Sequence, residues 1–205
     1  MRELCPYRLT LTENKRSDPP LFDWFASLIP GGFRFGTDLE DILKEASAAF
    51  PREPGRPDYT LCISHRRRMS VNRADNLAKK PADAVLIKAV ESKPGDLNVP
   101  QDMWCFPGQQ LIGCCRGRAE VANGCFYTVE FVDASHLTLE GDIKLSHSMA
   151  SRCLRLTHAL TMASCQGLTL PGRMRIVETA NPHFTLKHLF VALSRATAFN
   201  LVEIA

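Results

Sequence analysis

Apolar and polar positions alternate along this chain with two different periods. Tyr7–Thr12 alternates residue by residue and predicts a strand. Asp18-Pro19-Pro20 then opens a helix carrying Leu21, Phe22, Trp24, Phe25 and Leu28. Proline is tolerated there because its missing N–H falls in a first turn that has no intrahelical acceptor. Pro30-Gly31-Gly32 reads as a turn, and Thr37-Asp38, with acids in the following turn, predicts a second helix to about Phe50. A polar loop over 51–57 precedes a strand at Asp58–Ser64 and a helix at Arg66–Lys80. Ala84–Val90 is apolar enough for a strand, and Ser92–Pro100 is a hydrophilic linker.

From Trp104 the pattern becomes one of short β runs separated by turn signals, with Asn123-Gly124 the strongest hairpin marker. This predicts a small antiparallel insert over residues 101–145. Beyond it, Leu154–Met162 reads as one buried strand and Met174–Val177 as another. Thr185 caps a helix whose apolar residues, Leu186, Leu189, Phe190 and Leu193, follow a spacing of three and four. Strands alternating with helices on either side of the insert predict an α/β domain built from residues 1–100 and 146–205.

Composition changes this picture little. A chain of 205 residues, 45% hydrophobic and 23% charged, has room for one substantial domain with a small insertion. A net charge of +3 is too small to argue for nucleic acid by itself, so the position of the charge matters more. His65-Arg66-Arg67-Arg68 is its densest point. The eight cysteines contain no C-x-x-C pair, and no signal peptide is apparent at Met1-Arg-Glu-Leu, so reduced cysteines in an intracellular protein are expected. A zinc site from Cys105, Cys114, Cys115 and Cys125 lacks the usual ligand spacing, and no apolar stretch approaches the length of a membrane span.

Candidate chemistry gathers near the C-terminus. Gln166-Gly167 follows a predicted strand at its C-terminal end, where open α/β sheets bind ligands, and Arg195 falls at the end of the last helix near the same edge. A glycine permitting close approach and an arginine suit a phosphate-bearing ligand.

Two blocks make a resemblance specific. Ser164-Cys-Gln-Gly-Leu-Thr169, followed by Val191-Ala-Leu-Ser-Arg-Ala-Thr197, resembles motifs V and VI of superfamily 1 helicases of the Pif/RecD type. Leu11-Thr-Glu-Asn-Lys-Arg16-Ser17 is similar to their motif IV, and the strand, basic loop and helix around residue 64 to their motif IVa region. The texture Phe106-Pro107-Gly108 through Val129 resembles the small β-barrel insertion these helicases carry upstream of motif V. The resemblance covers residues 9–204. It implies a RecA-like, P-loop-NTPase-type parallel sheet, the second motor domain of such a helicase, with an antiparallel β-barrel-like insertion.

By the same resemblance, Arg16 and Arg195 would reach the γ-phosphate of ATP, with Gln166 and Gly167 as further nucleotide-side contacts. Ser64, Arg66, Arg67, Arg68, Asn72, Ser164 and Thr169, together with Arg73, would line a track for single-stranded DNA, RNA being possible in its place. ATP and its Mg²⁺ would be bound mainly by a first RecA-like domain, in the same or another chain. No G-x-x-x-x-G-K-[ST] occurs in the sequence, so the chain alone is expected to be inactive as an ATPase. Motif V departs from the family's T-x-H-K-S-Q-G-L-T, with Ala163, Ser164 and Cys165 at the histidine, lysine and serine positions. Two alternatives stay open: a degenerate helicase-like module that only binds nucleic acid or protein, and an unrelated metal or redox module built on the cysteines.

Overall fold

A computed structural model of the chain describes residues 14–91, 99–114 and 120–205. The expected strand at Tyr7–Thr12, Cys5 and Cys115 lie outside them. In chain order the elements are α1 (Pro19–Ala26), α2 (Leu39–Ala49), β1 (Tyr59–Cys62), α3 (His65–Lys79), β2 (Val85–Ile87), β3 (Met103–Cys105), β4 (Gln110–Gly113) and β5 (Phe126–Val132). They continue with β6 (His136–Leu139), β7 (Ile143–Ser146), α4 (His147–Cys153), β8 (Leu154–Leu156), β9 (Ala159–Thr161), β10 (Met174–Ile176), α5 (Leu186–Leu193) and β11 (Val202–Ile204).

Four strands form a parallel sheet in the order β11-β10-β1-β9. Helices cover both of its faces. Leu61 points into a core shared with Leu21, Phe25, Ile42, Phe50, Leu189 and Leu193 from α1, α2 and α5. Thr60, its neighbour on the other side of the pleat, faces α3 across a shallow cleft lined by Arg67, Ser70, Val71 and Ala74. Each fully buried aliphatic side chain in that core contributes about 1.5–3 kcal/mol, which holds strands only three or four residues long.

The helix α3 docks differently. Its buried residues are Arg68, Asn72, Asp75 and Asn76, a polar stripe at helical spacing. The Asn72 amide donates to Ala159 O (2.9 Å) and Leu156 O (3.4 Å) and accepts from Ala159 N–H (2.7 Å). Asn76 accepts from Trp104 N–H and donates to Trp104 O, both at 2.8 Å. The first asparagine holds the entry to the parallel sheet and the second holds β3, so α3 ties the two halves of the molecule together.

The insertion is an antiparallel five-stranded sheet ordered β7-β6-β5-β4-β8, with a register shift between Val129 and Phe131 that bends β5. Its own core gathers Leu111, Val129, Leu137, Leu139 and Leu154. Gly113 is required there, because a β-carbon on it would lie 2.1 Å from Ala122 O. Asn123-Gly124 does make a turn, with Gly124 at φ 79°, but it sits inside a longer connection between β4 and β5 rather than a two-residue hairpin.

The structure refines the expected elements and corrects one of them. The 84–90 run forms β2, as expected, and pairs antiparallel with β3. The run 154–162 is two strands: β8 pairs antiparallel with β4, and only β9 enters the parallel sheet. An apolar run carries no information about strand direction. Here Thr157 and His158 interrupt it, their side chains bonding Gln110 O and Asp58 O. Helix α4, unexpected from the sequence, lies between β7 and β8, so antiparallel structure extends past residue 145.

Candidate functional site

Three segments distant in sequence close on one another at the end of α5. The Arg16 guanidinium donates to the Ser194 carbonyl (3.1 Å) from 178 residues away, and Ser17 Oγ donates to Ala196 O (3.0 Å). Asp18 accepts the Leu21 N–H that starts α1, and its other oxygen accepts from Phe199 N–H. The Arg195 guanidinium donates to Val191 O, Leu168 O and Ser194 Oγ at 3.2, 3.2 and 2.9 Å. Leu170 N–H donates to Arg195 O, which zips the Gln166–Thr169 loop against the same corner.

Arg16 and Arg195 are therefore fixed beside each other through Ser194, and among the described residues no carboxylate pairs with either. Partial burial lowers the Arg195 pKa, and the adjacent positive charge of Arg16 lowers it further. Two cations held beside each other form a place where an added anion gains from both. Gln166 and Gly167 are exposed on the adjoining loop, with Gly167 at φ 87°, a left-handed conformation that glycine adopts freely. Thr169 is exposed as well. Ser164 is exposed, yet its hydroxyl is occupied in a local turn with Thr161: Oγ donates to Thr161 O (2.9 Å) and accepts from Thr161 N–H (3.1 Å).

The second group of expected residues surrounds the start of α3, at the C-terminal end of β1. Ser64 is the N-cap, its Oγ accepting from Arg67 N–H at 3.1 Å. Arg66, Arg67 and Arg73 are exposed, and among the described residues no ion pair involves Arg66 or Arg67. Arg68 and Asn72, also expected on the DNA track, point into the fold. Arg68 is buried and donates to Val99 O (3.1 Å), and Asn72 is spent on the β8–β9 junction. A helix places residues two and six positions past Arg66 on the opposite side, toward the sheet.

The sequence shows no sign of Glu178. This residue sits two positions beyond β10 at φ 61° and accepts from Ile63 N–H, Ser64 N–H and Ser64 Oγ at 2.9, 2.9 and 2.7 Å. It also shows no sign of the Asp75–His158 contact, which closes the opposite end of the sheet.

Three of the described free thiols are inert by position. Burial pushes Cys62 and Cys105 up to about 12 and Cys165 to about 11, far from the thiolate form that metals and oxidants require. No group of three or more potential metal ligands occurs among the described residues. Cys153 departs from the expectation of reduced thiols: it is disulfide-bonded. No described helix is long and apolar enough to cross a membrane.

No family model and no curated protein matches the chain. Solved structures do. A Bacteroides Pif1 helicase in complex with ADP-AlF3 and single-stranded DNA superposes with a TM-score of 0.61 at 17% identity, over 96% of this chain and 51% of its own. The Bacteroides Pif1 bound to single-stranded DNA gives 0.62 at 14%, over 96% and 51%. The Candida albicans Pif1 helicase gives 0.55 at 16%, over 91% and 53%. The chain thus spans about half the length of the helicases it matches, and at such identities the likeness is one of fold. Four parallel strands and an antiparallel insertion together give this chain the fold of a Pif1-type helicase domain.

Proposed function

We propose that this chain is the second motor domain of an ATP-dependent superfamily 1 helicase, active only with a first RecA-like domain. The observation that carries the proposal is the convergence of Arg16 and Arg195 on Ser194, with no carboxylate paired to either among the described residues. The γ-phosphate of ATP held by a first domain would supply the negative charge for both. As that phosphate's charge redistributes during transfer, a fixed pair of guanidinium groups stabilises it without reorganising. Gln166 and Gly167 border the same cleft. Mg²⁺ would be held mainly by the first domain.

The track for single-stranded nucleic acid runs past the N-terminus of α3, where Arg66 and Arg67 offer bidentate donors to backbone phosphates, toward Ser164 and Thr169. The solved Pif1 structures that bind single-stranded DNA support DNA as the partner class. The test is fluorescence anisotropy of a labelled single strand titrated with the chain across a salt series. Binding that weakens with salt, with a slope reduced by roughly 1.4 when both Arg66 and Arg67 become alanine, is the expected result. No binding at low salt, or an unchanged slope in the double variant, would refute the track.

A further inference from the structure

Glu178 has no counterpart in any expected motif, yet it makes more hydrogen bonds to the α3 entry than any other side chain described. One carboxylate oxygen accepts both the Ile63 and the Ser64 N–H, and the other accepts the Ser64 hydroxyl proton. That last bond has a consequence for the helix cap. With its proton committed to Glu178, Ser64 Oγ turns its lone pairs toward Arg67 N–H, the donor it caps at 3.1 Å.

The backbone is arranged around this contact. Glu178 holds φ 61°, a left-handed conformation that costs a glutamate energy and persists only where surrounding bonds over-determine it. Those bonds run in both directions: Val177 N–H donates to Leu61 O, and Asn181 N–H donates to Glu178 O. Phe184 N–H then donates to Asn181 O, just before Thr185 caps α5. Glu178 thus joins the segment leading to Ser194 and Arg195 with the loop that presents Arg66 and Arg67.

We propose that Glu178 is a positioning residue, whose carboxylate fixes the Ile63–Ser64 loop so that the cap and the arginines behind it are held ready for a nucleic-acid backbone. This rests on the DNA-track reading above. A competing electrostatic account makes Glu178 a mere repulsive charge beside the track, and the two predict opposite signs.

The experiment pairs amide hydrogen exchange with single-strand anisotropy on the wild type and on Glu178→Ala, Glu178→Gln and Glu178→Gly. In Glu178→Ala, exchange at Ile63 and Ser64 rises by about tenfold or more while Leu61 is unchanged, and affinity for the strand falls by a similar factor. Glu178→Gln keeps a carbonyl acceptor and recovers part of both. Glu178→Gly relieves the left-handed strain, so it keeps the thermal stability of the wild type and still loses affinity, which separates positioning from folding. Unchanged exchange at Ile63 and Ser64 in Glu178→Ala overturns the proposal whether or not DNA binds. Affinity in Glu178→Ala equal to or tighter than wild type overturns it in favour of simple repulsion. A wild type that binds no strand at all defeats the track itself, and with it the role assigned to this residue.

Discussion

Asn72→Ala separates a structural role from a DNA-contacting one. The side chain is 1% exposed and satisfies the Ala159 peptide group on both its N–H and C=O. Truncation orphans the buried Ala159 N–H, at about 1–3 kcal/mol, and weakens the satisfaction of two carbonyls besides. A total of about 2–4 kcal/mol is expected, a large fraction of the roughly 5–15 kcal/mol that stabilises a typical domain. For a chain of this size that corresponds to a fall in Tm of about 5–15 °C, and in urea to a midpoint lower by about 1–2 M at unchanged slope. Asn72→Asp serves as the control. It keeps the acceptor for Ala159 N–H but turns an oxygen toward two carbonyls, so it should be no more stable than the alanine variant. Folded fractions of both variants, assayed well below their Tm, should bind single-stranded DNA like the wild type. A Tm within about 1 °C of wild type, accompanied by weakened DNA binding, would refute the reasoning and return Asn72 to the track.

Other outcomes follow from the same geometry. Glu203 is 2% exposed and bridges Arg173 and Arg175, and removing one partner of such a buried group costs about 3–5 kcal/mol, so Glu203→Gln should unfold at markedly lower urea. Burial alone would raise the Glu203 carboxyl, but hydrogen bonds from Arg173 and Arg175 and their charges outweigh it and hold it below the ordinary carboxylate range. Its contribution is therefore complete above the unfolded carboxylate pKa of about 4.3 and lost as pH falls through the lower folded value; a Glu203→Gln variant with the same acid-unfolding profile as wild type would count against this. When the domain is joined to a P-loop-bearing first domain, Arg195→Ala or Arg16→Ala should lower DNA-stimulated ATP turnover by about 10³-fold or more in steady-state assays, and unchanged turnover would remove both from the cleft. In native protein at pH 8, iodoacetamide should modify the exposed Cys125 and leave Cys62, Cys105 and Cys165 unmodified, as mass spectrometry of the digested protein would reveal.

How much of this was legible in the chain depends on the range of the interaction involved. Local signals were read correctly wherever a few neighbouring residues decide the outcome: Asp18-Pro19-Pro20 starts α1, Thr185 starts α5, and the apolar runs at 59–62 and 174–176 are strands. Motif order pointed to the helicase-domain fold because those short blocks carry their own backbone chemistry. Strand direction was not legible, since β2, β8 and β9 have similar apolar composition and only their partners distinguish them. The basic run 65–68 looked uniform in sequence, yet helical geometry turns Arg66 and Arg67 outward and Arg68 inward.

By itself, then, the sequence determined where α1, α2 and α5 begin and that the runs at 59–62 and 174–176 are strands. The tertiary structure alone decided that Arg16 and Arg195 share Ser194, that α3 docks through asparagines rather than aliphatic side chains, and that Glu178 reaches Ser64 from 114 residues away. The physical reason is one of range. Caps, turns and periodicity are fixed by bonds spanning a few residues, whereas a charge gains or loses its partner only when the sheet brings distant strand ends to a common edge.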